Sequence, residues 1–148
     1  MAKTIVRGRQ DFVDELKNIP KWETVTVGVS SDNPDVVLTG TGTFALFNLP
    51  SNILILDARS SVIDAFTAVV DIEIGDSDDT DGMIAVAKLD ATTASSTLKR
   101  NAAVGYFDPT GFKGGVFYSS SGMIINATVS NATPAKGKAL IAVEYLLV

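Results

Sequence analysis

The 148-residue chain contains neither cysteine nor histidine. Without cysteine it has no disulfide and no thiolate metal site, and the redox compartment is left open. Without histidine it lacks the commonest general base, the commonest transition-metal ligand and the usual activator of a nucleophile. Carboxylate or lysine chemistry stays open to an enzyme. Charged residues make up 20% and aromatic residues 7%. Ser, Thr, Asn and Gly fill most polar positions, a composition for strands and turns rather than long surface helices. No apolar run approaches the roughly 18 residues of a membrane span. The segment Met1 to Gln10 lacks the apolar stretch of a secretory signal. The expectation is a protein made in the cytosol and kept there, or in particles assembled there, so the two sequons at Asn126 and Asn131 read as strand and turn residues.

What is present is a hydrophobic fraction of 46%, enough for one packed domain. The net charge of −5 is unevenly spread. Residues 1–21 hold five basic and three acidic side chains, a balance of +2; residues 22–148 hold seven basic and fourteen acidic, a balance of −7. An acidic body argues against nucleic-acid binding, which needs a basic face. A short basic arm suits an acidic partner surface, or is simply solvated.

One segment has helical spacing. From Gln10 to Ile19, the residues Phe12, Val13, Leu16 and Ile19 form one stripe, and Pro20 ends it. The rest reads as strands. Val25, Val27 and Val29 alternate with Thr24, Thr26 and Gly28, a half-buried strand. Thr43–Phe47 is a short apolar run, and Ile53–Ala58 is apolar on both faces. Phe66, Ala68, Val70, Ile72 and Ile74 alternate with Thr67, Val69, Asp71 and Glu73. Further strands are expected at Met83–Leu89, Ala102–Phe107, Gly115–Ser119 and Met123–Val129, with Asn, Asp, Gly and Pro between them. The last, Ala139–Val148, carries Ile141, Val143, Tyr145 and Leu147 on one face and Leu140, Ala142, Leu146 and Val148 on the other. Such a strand is central in a core or covered by another subunit. The fold class is all-β, an antiparallel β-sandwich or jelly roll (residues 22–148) preceded by an arm with a short helix (residues 1–21).

Candidate chemistry is sparse. The loop Asp76-Ser77-Asp78-Asp79-Thr80-Asp81-Gly82 is the one acidic cluster. Aligned on Gly82 as an EF-hand, it places Ser77 where the first Asp belongs and Lys88 where the bidentate Glu belongs, so that reading fails, and a solvated inter-strand loop is expected ahead of an irregular calcium or magnesium site. Gly40-Thr41-Gly42 lacks the rest of a dinucleotide fingerprint and reads as a turn or bulge. Lys99-Arg100 reads as a solvated corner, and Ser119-Ser120-Ser121-Gly122 as a turn with no base to activate a serine. Trp22 sits where the arm meets the body, either sealing the core edge or anchoring an interface. Tyr106, Phe107, Phe112, Phe117 and Tyr118 flank a turn at Asp108–Gly115. No catalytic residue, metal or cofactor is called for.

Leu49-Pro50-Ser51-Asn52 leads into Ile53–Ala58, then Val62-Ile63-Asp64-Ala65-Phe66, Val70–Gly75 and the Asp79–Gly82 loop. The chain closes with Gly137-Lys138-Ala139 and Ile141–Tyr145. This succession, roughly residues 45–148, resembles the jelly-roll cement or decoration proteins of tailed bacteriophages. The resemblance implies a virion protein of the capsid surface, assembled in the host cytoplasm. Its partners would be the major capsid protein and its own copies, as a homodimer or homotrimer, with no nucleic acid and no membrane. The arm would then serve as the tether. The expected interface residues are Arg7, Arg9, Phe12, Leu16 and Trp22, with Tyr145 and Leu147 on the last strand. An alternative is a virion adhesin that binds host-surface glycan through an aromatic platform around Tyr106–Tyr118. A hydrolase built on the acidic loop ranks third, because carboxylates in an open polar loop have no means of raising one pKa.

Overall fold

The structure is a computed structural model that describes residues 19–66, 69–84, 91, 94, 99–100 and 117–148. The helical stripe at 10–18 and the strands expected at 85–89 and 102–107 lie outside the described residues. Nine strands are described: β1 (Lys21–Gly28), β2 (Val36–Val37), β3 (Gly42–Leu49), β4 (Ile53–Asp64), β5 (Asp71–Gly75), β6 (Lys99–Arg100), β7 (Phe117–Ser119), β8 (Met123–Ser130) and β9 (Lys138–Leu147). The fold is the all-β sandwich read from the sequence. One sheet runs β2-β1-β9-β4-β6, with β7 also paired to β4; the other runs β3-β8-β5.

The strip that looked two-sided in sequence, β9, is the middle of the larger sheet. It pairs antiparallel with β1 from Lys21↔Tyr145 to Gly28↔Lys138 and with β4 from Ile53↔Leu147 to Asp64↔Lys138. Directly paired residues share a face. Val25, Val27, Ile141, Val143, Ile53 and Ile55 therefore point inward, where they meet Leu49, Ile125, Ala127, Ile72 and Ile74 of the smaller sheet in one core. Two bulges in β4, between Ile55 and Asp57 and between Val62 and Asp64, reset the alternation. This is how a twelve-residue strand keeps Ala58 and Val62 as well as Ile53 and Ile55 inside.

Two features depart from the sequence reading. The long alternation beginning at Phe66 is a strand only from Asp71. Phe66 is buried off the sheet, and its N–H donates to the Ala91 carbonyl at 2.8 Å. Second, β2 runs parallel to β1, a pairing that nothing in the alternation signalled. The connection is a 3-10 turn at Ser30–Asp32 closed by Asn33 in the left-handed region at φ 50°. Asp35 then folds back on the edge of β1. It accepts from the Thr26 N–H (2.8 Å) and hydroxyl (2.7 Å), while the Asp35 N–H donates to the same hydroxyl at 2.9 Å. Chiefly the Thr26 N–H, and next its hydroxyl, hold the Asp35 carboxyl below the usual range against a small opposing effect of burial. A charge seated on an edge strand also discourages edge-to-edge pairing.

The turn before β9 is fixed from the same side. Asp32 accepts from the Gly137 N–H at 2.8 Å, and the Val29 N–H donates to the Gly137 carbonyl at 3.0 Å. Gly137 has φ 128°, and a Cβ there would lie 2.4 Å from the Phe66 ring. Both backbone and space demand glycine. Gly137→Ala is expected to cost more than about 1 kcal/mol of stability, read as a lower midpoint in urea unfolding with an unchanged slope.

Candidate functional site

Two surfaces gather the residues able to recognise a partner. The first is the outer face of the larger sheet. Trp22 is paired with Glu144, Glu144 lies two residues from Leu146, Leu146 is paired with Leu54, and Leu54 with Tyr118. These five share the outer face. Trp22 is 42% exposed. The Arg59 guanidinium lies 5.1 Å from the centre of its ring. Arg59 reaches it across β9 at Ala142, its paired residue, whose methyl group is small enough to let a long side chain pass. The Arg59 Nε also donates to Asp57 Oδ2 at 2.9 Å, and the Asp57 side chain is nearly buried. The expected strand ended at Ala58, so Arg59, the bulge beside it and the contact with Trp22 were not legible in the sequence.

Among the expected interface residues, Arg7, Arg9, Phe12 and Leu16 lie outside the described residues. Trp22 is on the exposed face. Tyr145 faces inward, 6% exposed. Its hydroxyl donates to Glu23 Oε1 at 2.8 Å. Leu147 is half-buried against the core. The structure thus brings Tyr145 and Leu147 together at the inner end of β9 and leaves Trp22 on the opposite side of the sheet. Of the aromatic group around the 108–115 turn, Tyr118 is described as an exposed side chain, its hydroxyl donating to Asn52 Oδ1 at 3.2 Å.

The second surface is a groove of about 700 Å³ on the outer side of the smaller sheet. Its floor comes from Thr43 and Ala45 of β3 and Ile124 and Asn126 of β8. One wall is the start of the acidic loop. Asp76 Oδ1 accepts from the Asp78 N–H (3.0 Å) and the Asp79 N–H (2.9 Å), and the Asp76 N–H donates to the Asp79 carbonyl. This is turn chemistry rather than a metal cage: no group of three or more acidic residues is placed to hold an ion among the described residues. A second wall is Tyr118 and the turn Ser119–Gly122, closed by the Ser119 hydroxyl donating to the Gly122 carbonyl at 3.0 Å with Gly122 at φ 84°. Gly40 and Gly42 lie in the turn that opens β3, Gly42 with φ 136°. Lys99 and Arg100 form the short strand β6.

No protein-family profile matches the chain, and no curated protein matches it in sequence. Solved structures do match in fold. A chain of the "Cyanophage Pam1 capsid asymmetric unit" is similar with a TM-score of 0.61 at 19% identity, covering 99% of this chain and 94% of that one. A chain from the "Acidic stable capsid structure of Helicobacter pylori bacteriophage KHP30" is similar at 0.46 and 18% identity, covering 87% and 94%. At this identity the first likeness establishes a shared fold.

The buried Tyr145 gives a pH signature. Burial first, then the hydrogen bond to Glu23 and its negative charge, push the phenol up to about 12 from an ordinary value of 10. The folded protein keeps this proton where the unfolded chain loses it, so stability is full below pH 10 and falls as pH rises from 10 to 12. Tyr145→Phe is expected to flatten that decline, measured as unfolding midpoints between pH 9 and pH 12.

Proposed function

We propose that this chain is a structural protein of a bacteriophage virion, a cement or decoration protein seated on the outer surface of the capsid lattice. The observation that carries the reading is the whole-chain likeness to a component of a phage capsid asymmetric unit. A match spanning nearly all of both chains pairs two small sandwiches of similar size, not a motif shared by larger proteins. Fold alone does not assign a role, and the surfaces supply the second support. Trp, Tyr and Arg are the residue types that dominate the energetics of protein interfaces. Here Trp22 and Arg59 are held together on an exposed sheet face before any partner arrives, which lowers the ordering cost of binding.

The sandwich serves as the rigid body and the arm, residues 1–21, as the tether to the capsid or to a sister subunit, through Arg7, Arg9, Phe12 and Leu16. Linking several modest contacts in one oligomer raises overall avidity without requiring any one to be strong. Tyr145 and Leu147 support the inner end of the central strand, and Trp22 on the outer face makes the contact.

Mixing the purified protein with phage heads that lack it, and imaging by cryo-electron microscopy, is expected to give regular density at fixed lattice positions. Heads that stay bare overturn the proposal. Deleting residues 1–20 is expected to abolish binding to heads while a cooperative melting transition persists. Trp22→Ala is expected to weaken binding at least about tenfold, the loss typical of one buried aromatic anchor, in a co-sedimentation titration against heads.

A further inference from the structure

The groove on the smaller sheet meets the outer face of the larger one at Tyr118, which also lines it, and is not used by the capsid reading. Its middle is a row of paired residues, Ala45↔Asn126↔Gly75. Ala45 sets only a methyl group beside the Asn126 carboxamide, which keeps that side of the trough open, whereas the space over Gly75 is filled by the acidic loop. The acidic loop is pinned over Gly75 so closely that a Cβ there would lie 2.0 Å from the Asp79 carbonyl oxygen. Both walls are held by internal hydrogen bonds, Asp76 in one and Ser119 in the other. The polar side chains that project from these fixed walls and floor, Asp78, Ser120, Ser121, Thr43 and Asn126, make no hydrogen bond to another described residue. Ile124, 53% exposed, adds an apolar patch beside them.

We propose that this groove binds a neutral saccharide. The chemistry of the lining selects against the other small ligands. Among the described residues two carboxylates and no basic side chain line it, which repels phosphate, sulfate and acidic sugars. A single metal ion would leave most of its volume unfilled, and the described acidic residues do not converge in threes. A volume near 700 Å³ falls in the range of small-ligand sites, about 300–1,000 Å³. A sugar ring presents paired hydroxyls at its rim and C–H groups on its faces. A carboxylate accepts from two neighbouring hydroxyls, a carboxamide both donates and accepts, and Ile124 and Ala45 meet the apolar faces.

The test is saturation-transfer NMR with the methyl glycosides of glucose, galactose, mannose and N-acetylglucosamine, followed by an array of neutral bacterial-surface oligosaccharides. Saturable binding by at least one probe is expected. Asn126→Ala and Asp78→Ala should each weaken it about tenfold or more, and Ala45→Phe, which fills the trough without removing a hydrogen bond, should abolish it. Each variant is checked for an unchanged melting temperature, and Asp78, in an exposed turn, carries the test if a sheet substitution unfolds the protein. Absence of binding across the whole panel overturns the proposal. So does binding that all three variants retain, or a calcium titration that perturbs the same groove resonances while no sugar does. The outcome is separable from head binding: a protein that ignores phage heads still passes or fails the saccharide test, and the reverse holds.

Discussion

Everything described depends on β9 finding its place between β1 and β4. Its inner residues, Ile141 and Val143, are fully buried, and its backbone supplies the ladder on both sides of the larger sheet. Remove it and β1 and β4 become two unrelated edges, each apolar on the side that should face the smaller sheet. The exposed features are consequences of that pairing. Arg59 meets Trp22 because a single strand, carrying the small Ala142, separates them. The Tyr145 hydroxyl meets Glu23 across the same ladder, between residues 122 apart in sequence.

Much of the fold was legible in the sequence because period-two alternation survives wherever one face of a strand is buried. Val25 and Val27, the apolar block from Ile53, and the stretch from Met123 to Val129 all appear in strands, although β4 runs on to Asp64 past the expected Ala58 and β1 starts at Lys21 rather than Thr24. The signal failed where a local pattern and a tertiary demand diverged. Phe66 continues the alternation of Ile72 and Ile74, yet its ring is needed against Gly137 rather than in the ladder. Val36 and Val37 are too few to show a period, and their parallel partner is chosen by the 3-10 turn and Asp35. The candidate site was less legible. Trp22 could be singled out because a lone tryptophan at a boundary is informative by itself. Arg59, Asp57 and Asn126 could not, since their significance comes from bulges and from strands joined over long separations.

The two outward surfaces have different physical characters. The face of the larger sheet carries Trp22, Leu54, Leu146 and Tyr118 with Glu144 and the braced Arg59 among them, a composition suited to being covered by protein. The groove on the smaller sheet is polar, acidic and walled by rigid turns, a composition suited to a small ligand that arrives and leaves. The two surfaces adjoin at Tyr118, which lies on the outer face of the larger sheet and also lines the groove.

The position of β9 also bears on how the molecule comes into being. Of the described strands it leaves the ribosome last, yet it is the one on which the larger sheet closes. Until then β1 and β4 wait with their inner edges unpaired, so nearly the whole body is translated before its core is able to consolidate. Such long-range closure slows folding and leaves sticky edges open to neighbouring nascent chains. Rapid synthesis of many copies would then hold a transient pool of half-closed sandwiches.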